Sequence, residues 1–180
     1  MADFVHLHVH SQYSLLDGAI RLDDLFRRAA EYGMHSVALT DHGTMFGAIE
    51  FYQKARAAGI RPIIGCECYV APRSLRDKTT QDAKDLSHLV LLAKNQDGYR
   101  NLCKMLSIAQ LQGYYYKPRM DWELLEKYSD GLIATTGCLG GGDERLWIFD
   151  PSKSIEKGEA FQPLAYIGST FLSNAFDGKD

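Results

Sequence analysis

The chain has 180 residues, a formal net charge of −3, 46% apolar and 24% charged residues, which suits one soluble globular domain and excludes a disordered or fibrous polymer. No apolar run approaches the roughly 20 residues of a membrane span, and Met1-Ala2-Asp3-Phe4 lacks the basic and apolar regions of a signal peptide, so a cytoplasmic protein is expected. The mild acidity does not mark a strong general nucleic-acid binder, although it is compatible with a local basic patch.

The first element is Val5-His6-Leu7-His8-Val9-His10-Ser11. In a strand, successive side chains point to opposite faces, which predicts His6, His8 and His10 on one side and Leu7 and Val9 on the other. A single His-x-His pair is more often hydrogen-bonded and structural than metal-binding. Here, however, Asp17, His42, Glu67, His88 and Cys138 follow at or beside the ends of later predicted strands. Residues 11–18 form a polar turn carrying Asp17.

Leu22, Leu25, Phe26, Ala29 and Ala30 then recur at helical spacing, with Asp23 and Asp24 in the first turn and Gly33 placed to end the helix. Residues 36–40 are a short apolar strand ending in Asp41-His42-Gly43, as suits a parallel sheet covered on both faces. A second helix is predicted over 45–58, with Phe46, Ile49, Tyr52 or Gln53, and Ala57 on its inner side. In the next strand, 62–70, Glu67 is a carboxylate embedded in apolar sequence; it is either a structural ion-pair partner or a metal ligand.

Residues 71–87 read as an exposed loop, and 88–93 as a strand opening on His88. A helix over 95–112 carries the stripe Tyr99, Leu102, Leu106 and Ala109. Tyr114-Tyr115-Tyr116-Lys117-Pro118-Arg119 mixes aromatic and cationic side chains, which either anchor the loop or stack bases and hold phosphates. Asp121 caps a short helix to Tyr128, and strand 131–137 delivers Cys138. Cys66, Cys68 and Cys103 are expected to be reduced and mostly buried, since zinc-finger spacing is lacking.

Strands and helices alternate, which predicts a parallel α/β barrel or open sheet with ligands at the rim formed by the carboxyl ends of the strands. Histidines, two carboxylates and one possible thiolate suit zinc, manganese or iron better than magnesium. Such clusters favour two or three ions about 3.5–4 Å apart that clamp a phosphate and generate hydroxide near neutral pH. The residues alone therefore point to metal-assisted phosphoester hydrolysis.

The run from His6-Leu7-His8-Val9-His10-Ser11 to Asp17-Gly18, the segment Ala38-Leu39-Thr40-Asp41-His42-Gly43-Thr44-Met45-Phe46-Gly47 and Ile63-Ile64-Gly65-Cys66-Glu67 resemble one known family. It is the PHP (polymerase and histidinol phosphatase) domain found at the N-terminus of bacterial DNA polymerase III alpha subunits. His88 to Ala93 and Gly131 to Gly140 continue the likeness, which spans about residues 4–141. The resemblance implies an α/β fold, the PHP-type distorted (β/α)7 barrel. It is incomplete here, with about five βα units recognisable over residues 1–141, followed by a tail over 142–180.

It further implies up to three ions, Zn2+, Mn2+ or Fe, held by His8, His10, Asp17, His42, Glu67, His88 and Cys138. His42 and Glu67 fall at its catalytic positions, and His6 beside the ligand pair rather than in it. Implied partners are DNA and other replicase subunits such as a proofreading exonuclease subunit, with no membrane. The implied activity is 3′-5′ exonuclease within a DNA-directed DNA polymerase. The alternatives are a non-catalytic, metal-stabilised docking module and a stand-alone PHP phosphoesterase. Family members complete the site with an Asp-x-His pair, whereas no histidine follows His88 here, so catalysis by the chain alone is expected to be weak or silent. The tail is expected to pack through Leu146, Trp147, Ile148 and Phe149 or to be mobile.

Overall fold

The computed structural model describes residues 4–135 and two further strands, Trp147–Phe149 and Ala165–Tyr166. Helix α1 is Leu22–Glu31; Asp23 and Asp24 occupy its first turn, and Leu22, Leu25, Phe26 and Ala29 are buried. Strand β1 is Ser36–Leu39, α2 is Ala48–Ala57 and the long β2 is Arg61–Val70. A short helix, α3 (Thr80–Lys84), starts from a capping box between Thr79 and Asp82, inside the stretch read as an exposed loop. Then come β3 (Ser87–Ala93), α4 (Gln96–Leu111), β4 (Arg119–Met120), α5 (Trp122–Tyr128) and β5 (Leu132–Thr135). Asn95 caps α4 by accepting from the Gly98 N–H, and Asp121 caps α5 by accepting from the Leu124 N–H.

With β6 (Trp147–Phe149) and β7 (Ala165–Tyr166), the described strands form one sheet in the order β1-β2-β3-β5-β6-β7, and β4 pairs with β2. The all-parallel expectation needs correction. β1 and β4 run parallel to β2, but β2 with β3, β3 with β5, β5 with β6 and β6 with β7 are antiparallel. Alternation of strand and helix gives the order of elements and says nothing of strand direction. A connection that re-enters the sheet from the same end needs no right-handed crossover. β2 has two edges and β3 occupies one along 65–70, so β4, at Tyr69 and Val70, continues the edge that β1 begins at 61–64.

The strand period of two sorts the side chains into an outer and an inner face. Outward, Val37 and Leu39 of β1 meet Leu22, Leu25, Phe26, Phe51 and Ala55 of the first two helices. Cys66, Cys68, Leu89, Leu91, Leu132 and Ala134 meet Leu102, Met105, Leu106 and Leu125. Inward, Ala38, Ile63, Val90, Leu92 and Ile133 form a third, smaller cluster closed by Val5 and Leu7. Glu67 and Tyr69 share the parity of Ile63, and His88 that of Val90 and Leu92. The inner face thus starts apolar and ends polar, and the polar end is the candidate site.

Two further expectations change. On α2 the buried residues are Ala48, Phe51 and Ala55, while Phe46, Ile49 and Tyr52 are exposed, and Gln53 and Ala57 are exposed with them. The sequence reading followed the bulkiest stripe. The fold instead buries small alanines that let the helix approach the sheet, with Phe51 set 5.2 Å from the ring of Phe26. The histidine segment is extended but is not a regular strand. The Ala38 N–H donates to His6 O and the Thr40 N–H to Val9 O, so three residues on one side span two on the other. The Thr40 hydroxyl fills the break, accepting from the Val9 N–H and donating to Val9 O. This is a bulge, and it breaks the alternation that would put His6 with His8 and His10.

Candidate metal centre

Four imidazoles and a second carboxylate gather about Glu67, whose side chain is 2% exposed. His8 Nε2 lies 2.7 Å and His10 Nε2 2.5 Å from Glu67 Oε2, His42 Nδ1 lies 3.5 Å from the same oxygen, and His88 Nδ1 lies 2.6 Å from Oε1. Asp17 Oδ2 lies 2.9 Å from His10 Nδ1 and 2.8 Å from His42 Nε2. The structure thus brings together His8, His10, Asp17, His42, Glu67 and His88. His6 stands apart, exposed, with its ring edge-on to Phe4 at 4.8 Å. Cys138, and the packing expected of Leu146, Trp147, Ile148 and Phe149, lie outside what is described.

Each side chain is aimed by its backbone. His42 and Glu67 are bridged in parallel register, the Gly43 N–H donating to Glu67 O and the Glu67 N–H to Asp41 O, so their side chains share the inner face. His88 sits opposite Tyr69 across the antiparallel pair. Gly43, at φ 61°, turns the chain where a Cβ would lie 2.6 Å from the Pro118 ring. Asp17 is positioned through Asp41, which the sequence reading left without a role. The buried Asp41 carboxylate accepts from the Ser11 N–H, the Ser11 hydroxyl and the Ser14 hydroxyl, and Ser14 Oγ accepts from the His42 N–H. One carboxylate therefore ties the Asp17 turn to the His42 loop.

Tyr69 was also missed. Its ring stacks on His42 at 5.8 Å and meets His88 edge-on at 5.0 Å. Burial and the charges of Glu67 and Asp17 push its hydroxyl up to about 12, so it remains a neutral donor at neutral pH. Arg119 does no phosphate work: it is fully buried, donates to Gly113 O and Leu75 O, and lies over the Tyr115 ring.

The donor set fits a cation. His8 Nε2 and His10 Nε2 lie 3.1 Å apart while both face Glu67 Oε2, and two N–H groups donating to one oxygen cannot also bond each other. His42 Nδ1 is buried with no hydrogen-bond partner. Two triads, His8-His10-Glu67 and His10-Asp17-His42, each bring their ligand atoms within 4.8 Å of one another. Nitrogen and oxygen donors at this spacing suit a metal ion.

Without an ion the site is held by protons. Burial raises the pKa of Glu67, but the hydrogen bonds from His10, His8 and His88 outweigh it and hold the carboxyl well below the usual range. The bond to Glu67 raises the pKa of His10 above its ordinary value, against desolvation and with help from Asp17. A depressed carboxyl pKa contributes stability above roughly pH 4.3 that is lost as pH falls through the folded value. A raised histidine pKa contributes stability below roughly pH 6.5 that is lost as pH rises through its folded value. The metal-free chain should therefore be most stable between roughly pH 4.5 and 6.5, with a falling Tm above that. An ion needs the same imidazoles unprotonated, so the gain in Tm from added zinc or manganese should grow from about pH 6 to about pH 8. Thermal scans with EDTA and with each ion measure both trends, and a gain that shrinks with pH would contradict this account.

Over residues 6–170 the chain matches the PHP domain. It is 55% identical over 144 residues to the DNA polymerase III subunit alpha of Borreliella burgdorferi, covering 79% of this chain and 13% of that protein. With that of Treponema pallidum it is 53% identical over 179 residues, covering 98% of this chain and 15% of the relative. With that of Aquifex aeolicus it is 50% identical over 145 residues, covering 77% and 12%. The chain thus spans only 12% to 15% of the length of these relatives. A solved amidohydrolase from Chromobacterium violaceum aligns with a TM-score of 0.42 and 29% identity, over 59% of this chain and 33% of that one. The family match reaches residue 170, past the stretch of 4–141 whose motifs carry the resemblance. No described helix is long and apolar enough to cross a membrane. A match over nearly the whole sequence, on a chain whose histidines and carboxylates converge as described, shows that it belongs to the PHP domain family.

Proposed function

We propose that the chain serves as the PHP domain of a cytoplasmic bacterial replicative DNA polymerase alpha subunit, and that its site is a metal-dependent phosphoesterase centre acting as a 3′-5′ exonuclease. The observation that carries this is the convergence of His8, His10, His42 and His88 on the nearly buried Glu67, with Asp17 as a second carboxylate. His8, His10, Asp17, His42, Glu67 and His88 would hold zinc or manganese, joined by Cys138, which follows β5 in sequence. A bound ion supplies Lewis acidity toward a phosphoryl oxygen and lowers the pKa of water.

The chain's own groups do the rest. Glu67 offers one oxygen to His88 and the other to His8 and His10, which fixes those ring orientations. Asp17, with a side chain 48% exposed, is the carboxylate that reaches the mouth of the site, where water and substrate arrive. Tyr69 holds a proton on its hydroxyl there. DNA and other replicase subunits are the proposed partners.

A second reading is a metal-stabilised docking module without catalysis. The chain loaded with manganese or zinc should shorten a labelled single-stranded oligonucleotide from its 3′ end. EDTA and His42→Ala should both stop it. Bound ion by elemental analysis, with no shortening when protein is in excess, would decide for the second reading.

A further inference from the structure

Beside the donor set lies a cavity of about 610 Å3 with Asp17, His42 and His88 among the residues that line it. Its remaining lining is unlike a phosphate site. Leu16, Phe46, Tyr116 and Tyr114 all line it and are 89%, 75%, 69% and 53% exposed. Contiguous apolar surface of this kind marks a binding surface. The one lining amine is Lys117, whose Nζ stands 5.2 Å above the ring of Tyr69.

The loop is built to present its tip. The Tyr115 N–H donates to Lys117 O, closing a tight turn whose tip, Tyr116, has a φ of 58°, a region L side chains rarely adopt. The base of the loop is fixed by Arg119, buried, bonded to Gly113 O and Leu75 O and lying over Tyr115. An otherwise unfavourable backbone is thus held so that an aromatic ring faces solvent beside the donor set.

The occupant must satisfy both halves of the site. A sugar phosphate would leave the aromatic wall bare, and an apolar peptide would bring no anion to the donor set. A nucleotide carries a flat π-face and a phosphate, and the volume is that of a small-ligand site, roughly 300–1,000 Å3. A paired end offers only the outer face of its last base pair, whereas unpaired bases can turn a face to each ring. We propose that Tyr114 and Tyr116, with Phe46 and Leu16, form a stacking subsite for the unpaired terminal bases of a single-stranded nucleic acid. Lys117 contacts the backbone, and the terminal phosphodiester lies at the donor set. The proposal names the substrate class of the site described above and rests on that reading for the phosphate.

The test reads binding without turnover. Fluorescence anisotropy of a labelled oligothymidylate is followed at low ionic strength in EDTA, with the full chain. Tyr116→Ala and Tyr114→Ala should each weaken binding roughly 5- to 150-fold, the loss of one base–aromatic stack, and Tyr116→Trp should retain it. An abasic oligomer of equal charge should bind weakly and feel neither change. Should Tyr116→Ala melt early, Tyr116→Asn, which tolerates the positive φ, takes its place. Equal affinity for the abasic oligomer, unchanged affinity in both alanine variants, or a Tyr116 effect confined to self-association would overturn the proposal. Tyrosine-dependent binding together with a failed nuclease assay would remove the phosphoesterase reading alone.

Discussion

Protein carrying His10→Ala should fold like the parent and lose ion affinity at both triads. His10 is the residue the two triads share, with Nε2 toward Glu67 and Nδ1 toward Asp17. Removing a group that merely orients a ligand costs about 10- to 100-fold in affinity, so removing a donor common to both groups should cost at least roughly 100-fold. Asp17→Asn disturbs the His10-Asp17-His42 triad and leaves His8-His10-Glu67 intact, so it should lower the number of ions bound without abolishing binding. The fold should tolerate both changes. The three apolar clusters contain none of these residues, and each buried Leu, Ile or Phe in them contributes about 1.5–3 kcal/mol. Titration with zinc and manganese, followed by elemental analysis and circular dichroism, measures each part. Full-affinity binding by folded His10→Ala protein would show that the ions are held elsewhere.

How much of this was legible depended on the range of the interaction concerned. His42 and His88 lie beside or at strand ends and Glu67 faces inward from within β2, positions that the apolar runs and the period of two make legible locally. Capping by Asp121 was equally local. What escaped depended on partners distant in sequence. Asp41 meets Ser11 and Ser14 across separations of 30 and 27 residues, and no periodicity marks such a tie. A carboxylate directly before the site histidine His42, at the end of an apolar strand, was the available signal. The inner face of α2 was misjudged because hydrophobic bulk was weighed above closeness of approach, and Ala48 and Ala55 win where a helix must lie near a sheet. The bulge that separates His6 from His8 depends on Thr40, some thirty residues away.

Turnover by the 180-residue chain should be at least roughly 100-fold slower than that of a family member whose site includes the closing Asp-x-His pair, the upper part of the usual loss when metal-site partners are disturbed. The described site offers four imidazoles and two carboxylates, and His10, Asp17, His42 and Glu67 are each contacted by more than one other member. Six donors are few for two or three ions, and a multi-ion mechanism needs each ion gripped while positions stay open for water and phosphate. Zinc and manganese should therefore differ. Zinc, content with four donors, should bind tightly and support little turnover, whereas saturating manganese should recover more of it. Rates on single-stranded DNA for both proteins, at saturating concentrations of each ion and with His42→Ala as the blank for contaminating nuclease, decide the matter. Comparable rates that vanish in the His42→Ala protein would mean that six donors suffice for the chemistry, and that a closing pair serves stability rather than catalysis.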